Sequence, residues 1–228
     1  MRKRPIVQKV DDVQISEEET TTQVCTSACL SVWDSFLRLD DQYTKQLALC
    51  ATRDAPLGYL RPLMKVLEIS CHGVPWILGT AVMFLCSHRS QDIEISVNLF
   101  FALMFDLIVV GVLKATFRRS RPSHNVMDMF AAPSVDKFSF PSGHSTRAAF
   151  MALFLCNHML SNPLYILVVC MWSLSVSASR ILLGRHHILD VVCGFGIGVL
   201  SYYTYLNVWL SQDTCLHYLD TYFGHVHL

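Results

Sequence analysis

The stretch ISVNLFFALMFDLIVVGVL, Ile95 to Leu113, is a long apolar run whose only ionisable side chain is Asp106, and it stops at Lys114. A helix needs about 20 such residues to cross about 30 Å of hydrocarbon, so this run reads as a membrane span. Working outward, comparable runs cover Val66 to Cys86 before it, and Ser145 to Leu160, Leu164 to Ser177 and Ile188 to Leu210 after it. The run from Ser145 is short, and a helix opening at Pro141 would lengthen it. The expected fold is therefore all-α: a multi-pass transmembrane helical bundle of five spans, preceded by an amphipathic helix.

That preceding helix is expected from Leu30 to Cys50, where Trp33, Phe36, Leu37, Tyr43 and Leu47 recur at roughly helical spacing with Asp34, Arg38, Asp40, Asp41 and Lys45 between them. Such a helix lies at the membrane surface or against its own bundle. Asp11 to Gln23 is acidic and rich in Thr, Ser and Gln, with too little apolar surface to fold alone. The organisation expected is a flexible tail over 1–29, an interfacial helix and lead-in over 30–65, a membrane-embedded domain over 66–210 and a short C-terminal tail over 211–228. No apolar run follows the basic start MRKRPIVQKV, so a cleavable signal peptide is not expected and insertion falls to a later segment.

Composition agrees with a membrane protein. Only 16% of the 228 residues are charged, against about 25% in soluble domains. Eighteen basic residues balance 18 acidic ones, which argues against nucleic acid as a partner, because no basic excess exists to displace counterions. The nine cysteines form no C-x-x-C pair, so neither a disulfide framework nor a zinc site is expected. Cys25, Cys29 and Cys50 stand where acylation is feasible. Gly194 and Gly198, four apart in the last span, suit close helix approach rather than dinucleotide binding, since no strand precedes them. Glu68, His72 and Asp106 are expected to face the bundle interior as structural groups away from the chemistry described next.

With five spans, the N-terminus, the loop from Lys114 to Phe140 and the turn from Arg180 to His187 share one side. That side holds every Lys and Arg outside the spans except Arg89. The positive-inside rule makes it cytosolic and the C-terminus lumenal.

Three segments on that side concentrate unusual residues: Lys114-Ala-Thr-Phe-Arg-Arg-Ser-Arg121-Pro122, Pro141-Ser142-Gly143-His144, and Ser179-Arg180 through Arg185-His186-His187 to Asp190. Lys114, Arg121 and Arg180 would repel one another unless an anion of high charge density lay between them, and phosphate is the natural candidate. Ser142 offers a hydroxyl, and a Pro-Ser-Gly turn that opens a helix aims main-chain N–H groups at an anion. His186 and Asp190 are four apart, the spacing of one helical face, so Asp190 is expected to bond one ring nitrogen and leave the other free to attack. His144 is a second titratable group able to protonate a leaving oxygen. Other readings remain: Arg118, Arg119 and Arg185 as topological charges, His186 with His187 as half of a metal site lacking its other ligands, and Ser142 with His144 as a hydrolase pair lacking a G-x-S-x-G elbow.

The order K-x6-R-P, P-S-G-H, S-R-x5-H-x3-D resembles the three-part signature of the type 2 phosphatidic acid phosphatase superfamily, which includes lipid phosphate phosphatases and vanadium haloperoxidases. The resemblance covers roughly residues 66 to 210 and is complete at every signature position. It implies that His186 is a nucleophile forming a phosphohistidine, Asp190 its orienting partner and His144 the general acid. Lys114, Arg121, Ser142, Gly143 and Arg180 correspond to the phosphate-binding set, and no metal or cofactor is implied. The lead-in LALCATRDAPLGYLRPLMKVLEISCHGVPW and the five spans are most similar to the polyisoprenoid diphosphate phosphatases, typified by presqualene diphosphate phosphatase. The expected function is a metal-independent phosphatase of presqualene, farnesyl or geranylgeranyl diphosphate and their monophosphates. Its expected place is the endoplasmic reticulum and nuclear envelope, with a lipid substrate drawn from the bilayer and room for a homo-oligomer. Phospholipid monoesters such as phosphatidate, lysophosphatidate and sphingosine phosphate are the alternative substrates. A catalytically inactive membrane scaffold and a transporter are the alternatives of other classes.

Overall fold

The computed structural model describes residues 32–87, 89–126, 128 and 137–223, so the expected tail over 1–29, Cys25, Cys29 and the last five residues lie outside it. The chain divides into two compact units, residues 1–42 and 43–228. In the first, the described residues are helical, and the Trp33 and Phe36 rings lie 5.9 Å apart. This helix, α1, spans 32–47, within the 30–50 expected.

The second unit continues with α2 (Arg61–Ser70), α3 (Gly73–Leu85), α4 (Ser90–Phe117), α5 (Gly143–His158), α6 (Pro163–Leu182), α7 (Ile188–Tyr205) and α8 (Gln212–Phe223), and no strand occurs among the described residues. Among the described residues three helices are long and apolar enough to cross a membrane: α4, α6 and α7 with the single turn that extends it to Val208. Their outward faces are greasy, as Leu164, Leu167, Val168, Met171 and Leu174 of α6 illustrate, whereas Ser173, Ser177 and Arg180 of the same helix point inward. Polar residues inside and apolar ones outside is the arrangement a bilayer demands.

The expected first span, Val66 to Cys86, is broken. α2 and α3 meet at 47° across Cys71 and His72. Pro75 explains the break, since it has no N–H to donate and its ring would clash with the Cys71 carbonyl of a continuous helix. His72 caps the restart, its Nδ1 accepting from the Val74 N–H at 3.3 Å. The bent pair, together with the residues from Gly58 that lead into it, is long and apolar enough for a crossing only when its two halves are taken together, as one broken span or a re-entrant loop.

The short third run, which the sequence suggests begins near Pro141, is α5, a 16-residue helix starting at Gly143. At 1.5 Å per residue it is about 24 Å long. It sits at the centre, packed by α4, α6 and α7, and every residue from Ser145 to Ala152 is buried. Phe150, Met151 and Phe154 meet Leu99, Ala102 and Leu103 of α4 and Tyr202 and Tyr205 of α7. Close approach of α5 and α7 depends on Gly194 and Gly198: a Cβ at Gly194 would meet the Ser142 carbonyl at 2.9 Å, and one at Gly198 would collide with the Thr146 carbonyl. Asp106 of α4 pairs with Arg147 of α5 at 3.0 Å in the buried interior. Cys50 is fully buried and its Sγ faces the Leu57 carbonyl, so it is closed to acylation.

Candidate active site

The first turn of α7 and the loop before it build the centre of the site. α7 begins at Ile188 with His187 as its cap, and Asp190 is the third helical residue. A carboxylate there reaches back to the cap's N–H. Asp190 Oδ2 accepts from the His187 main-chain N–H at 2.8 Å and lies 3.0 Å from His187 Nδ1. The Ser139 hydroxyl donates to the same oxygen, and Arg119 donates to Oδ1 at 2.7 Å.

Asp190 therefore does not hold His186 in the manner expected. Its nearer oxygen is 3.9 Å from His186 Nδ1, while the Ser139 carbonyl oxygen is 2.8 Å away. The one-face spacing fails because His186 precedes the helix. Since a carbonyl only accepts, Nδ1 carries the ring proton and Nε2 keeps its lone pair. That Nε2 is buried and has no hydrogen-bond partner among the described residues. Burial, reinforced by Arg121, Arg180, Lys114 and His144, holds the His186 pKa well below its ordinary value near 6.5. A neutral imidazole among cations, with one bare nitrogen, has the chemistry to attack an anionic electrophile.

The structure thus brings together the residues of all three motifs. Lys114, at the end of α4, donates to the Phe138 carbonyl at 2.7 Å, and Arg121 donates to the Arg185 carbonyl at 3.1 Å. Ser142 caps α5: its Oγ accepts from the Ser145 hydroxyl at 3.0 Å, which leaves its own proton to donate. The Ser142 N–H donates to the Asp190 carbonyl at 2.9 Å, tying the start of α5 to that of α7. Gly143 is the first residue of α5, so its N–H has no acceptor within the helix. Gly184, at φ +66°, turns the chain between α6 and His186, a conformation that favours glycine. His144 bonds through its ring to the Glu68 carbonyl, and its Nε2 is buried and without a hydrogen-bond partner among the described residues.

Several residues enter the site that the motifs did not mark. Glu68 is 3.4 Å from Arg180 and 3.5 Å from Arg185, and the His72 and His144 rings are 6.4 Å apart, so the expectation that Glu68 and His72 lie away from the cluster is corrected. Glu68 is placed there by the packing of α2 on α6, and His72 sits at the bend that follows. Arg119 and Arg185, open to a purely topological reading, are structural partners of Asp190 and of Glu68 and Asp128, respectively, whereas Arg118 is exposed. Asp128 gathers Arg61, Lys65 and Arg185; burial would raise its pKa, but these three donors hold it well below the usual carboxylate range.

Residues 95–212 match the PAP2 superfamily, the phosphatidic acid phosphatase family the motifs resemble. The chain belongs to it. Among PAP2 relatives it is 36% identical over 124 residues to a probable lipid phosphate phosphatase beta of Arabidopsis thaliana, covering 43% of this chain and 58% of that one. It is 35% identical over 108 residues to phosphatidylglycerophosphatase B of Bacillus subtilis, covering 43% and 50%. The chain thus spans about half the length of the curated relatives it matches. The crystal structure of a transmembrane PAP2-type phosphatidylglycerolphosphate phosphatase from Bacillus subtilis shares the fold, with a TM-score of 0.57 and 23% identity over 76% of this chain and 86% of that one. The PAP2 match begins in α4 and ends at the start of α8, so α2 and α3 lie ahead of it.

Proposed function

We propose that this chain is a metal-independent lipid phosphatase that hydrolyses polyisoprenoid diphosphates, such as presqualene, farnesyl and geranylgeranyl diphosphate, and the corresponding monophosphates. The observation that carries the reading is the His186 ring, buried among cations, with Nδ1 held at 2.8 Å by a carbonyl and Nε2 unengaged. In the first step Nε2 attacks phosphorus, the N–P bond forms as the bond to the leaving oxygen breaks, and His144, which takes up a proton at Nε2 when the phosphate dianion binds beside it, gives that oxygen the proton. Lys114, Arg121, Arg180, Ser142 and the Gly143 N–H hold the non-bridging oxygens, and Asp190 anchors the loop that presents His186. Water then attacks the phosphohistidine, passing its proton to His144, and phosphate leaves Nε2. Three cations offset the charge that a phosphoryl group develops, so the chemistry calls for no cofactor.

Membership of PAP2 and relatives named as lipid phosphatases support the lipid class. The isoprenoid choice rests on the resemblance of the lead-in from Leu47 to Trp76. The names of the relatives favour a second reading, phospholipid monoesters. Purified protein in detergent with EDTA, offered farnesyl diphosphate and phosphatidate together, ranks the two. Equal phosphate release after His186→Ala overturns the nucleophile, and an inert wild type favours a scaffold.

On the resemblance to the polyisoprenoid diphosphate phosphatases we place the protein in the endoplasmic reticulum and nuclear envelope, and on the distribution of basic residues we orient the motif loops to the cytosol and the C-terminus to the lumen. A glycosylation acceptor in the C-terminal tail should be modified in microsomes. Modification of one in the 114–140 loop instead overturns the orientation.

A further inference from the structure

The helix α2 lies ahead of the PAP2 match over residues 95–212, yet it contributes a buried carboxylate to the cluster of cations. Glu68 is 3% exposed, and its Oε2 sits 3.4 Å from Arg180 Nη1 and 3.5 Å from Arg185 Nη2. Arg185 has a further carboxylate, Asp128, at 2.6 Å, and also donates to the Val126 carbonyl. Arg180 has neither. Its guanidinium is fully buried, and none of Nε, Nη1 and Nη2 has a hydrogen-bond partner among the described residues; Glu68 Oε2 has none either.

This is an ion pair at the outer edge of hydrogen-bond distance, in contact but not aligned as a bidentate pair, and the difference matters. A buried guanidinium with no counter-charge is strongly destabilising. One locked bidentately onto a carboxylate has spent the donors that a phosphate needs. Glu68 at 3.4 Å offsets the charge through space and leaves the donors of Arg180 unspent.

We infer that Glu68 is a positioning residue of the phosphate site: its carboxylate offsets the charge of Arg180 and holds it in place while leaving that guanidinium's N–H groups to the non-bridging oxygens of a bound phosphoryl group. The inference rests on the phosphatase reading above. It has a consequence for turnover. Glu68 and phosphate compete for one positive charge, so Glu68 lowers the affinity of the empty site for inorganic phosphate and favours release of that product.

The test needs no turnover. Binding of inorganic phosphate to the full chain in detergent is measured by calorimetry, together with the thermal midpoint with and without phosphate. Glu68→Gln should lower the midpoint of the phosphate-free protein, because Arg180 loses its counter-charge. It should also bind phosphate about tenfold more tightly, the scale expected on removing one opposed charge a few ångströms away. A residue needed only for packing would lower the midpoint without tightening the anion. Phosphate binding that is unchanged or weaker in Glu68→Gln overturns the inference. Should that variant fail to fold, Glu68→Asp, which withdraws the carboxylate by one methylene, should tighten phosphate by a smaller factor, and wild-type affinity there overturns the inference equally. A wild type that binds no phosphate removes the phosphatase reading and this inference with it. A wild type that binds, beside a variant that binds no better, removes this inference alone.

Discussion

Asp190 closes on His187 rather than on His186: its Oδ2 is 2.8 Å from the His187 main-chain nitrogen and 3.9 Å from His186 Nδ1. The carboxylate acts on the proposed nucleophile through the backbone, by fixing the start of α7 and, through the Ser139 hydroxyl, the segment whose carbonyl receives the His186 proton.

Replacement of Asp190 and of Ser139 should therefore have unequal effects. Asp190→Asn loses the charge that holds Arg119 and weakens the cap, and a displacement of about 1 Å at the nucleophile costs on the order of 100-fold in rate. Ser139→Ala keeps the main-chain carbonyl, so its loss should stay within about tenfold. Steady-state kcat for the two variants checks this. A Ser139→Ala defect as large as that of Asp190→Asn would mean the hydroxyl, not the carbonyl, sets the ring.

Leaving-group chemistry isolates the role of His144. Expelling a prenyl alcohol requires a proton far more than expelling a prenyl phosphate, which departs readily as an anion. His144→Ala should slow monophosphate hydrolysis by about 100 to 10,000-fold and diphosphate hydrolysis much less. Equal losses on both substrates would place His144 at the shared hydrolysis of the phosphohistidine or in binding, not at departure of the leaving group.

Much of this site was legible from residue types and spacing, and the parts that were not share one physical origin. Lys114, Arg121, Ser142, His144, Arg180 and His186 announce themselves because cations and a serine at span ends have few other uses in a membrane protein. Glu68 does not, because its importance lies in a partner 112 positions away that the packing of α2 on α6 brings near, and the bend at Cys71 and His72 sets α2 apart from the rest of its apolar run. Hydropathy averages over that bend, and a proline two residues into a new helix leaves the apolar run intact. The Asp190 geometry was missed for a related reason. Spacing of four implies one face only if both residues are helical, and α7 starts two residues after His186.

The acid limb of kcat/KM should lie low. The attacking imidazole must be neutral, and burial together with Arg121, Arg180 and Lys114 depresses its pKa below 6.5, so His186 remains neutral at pH values where an ordinary histidine is protonated. The sign follows: removing a neighbouring cation raises that pKa. Arg121→Gln should move the acid limb upward, toward 6.5, beyond any loss of substrate affinity. A pH profile of kcat/KM over the acid range decides it, and a limb that stays put or moves downward would separate Arg121 from the His186 titration.

The packing of α5 on α7 offers a graded test within one short sequence, Gly194-Phe-Gly-Ile-Gly198. At Gly196 nothing lies within 4 Å of where a Cβ would stand, so Gly196→Ala should be neutral or slightly stabilising through helix propensity alone. At Gly198 the added methyl would strike the Thr146 carbonyl and come within 3.0 Å of the Ala149 Cβ, main-chain and packed atoms that cannot swing aside. Overpacking of that kind costs about 1 to 3 kcal/mol, and Gly198→Ala should lower the thermal midpoint accordingly. Gly194 is the informative case, because its Cβ would press on the Ser142 carbonyl at 2.9 Å and the Ser142 nitrogen at 3.2 Å. Any outward shift of α5 there displaces Ser142, which caps the helix and is proposed to face the anion. Gly194→Ala should therefore weaken phosphate binding more than its loss of stability accounts for, whereas Gly198→Ala should do the reverse. Midpoints and phosphate affinities measured on the three variants together check the ranking, and equal effects at 194 and 198 would mean that the α5–α7 contact does not set the position of Ser142.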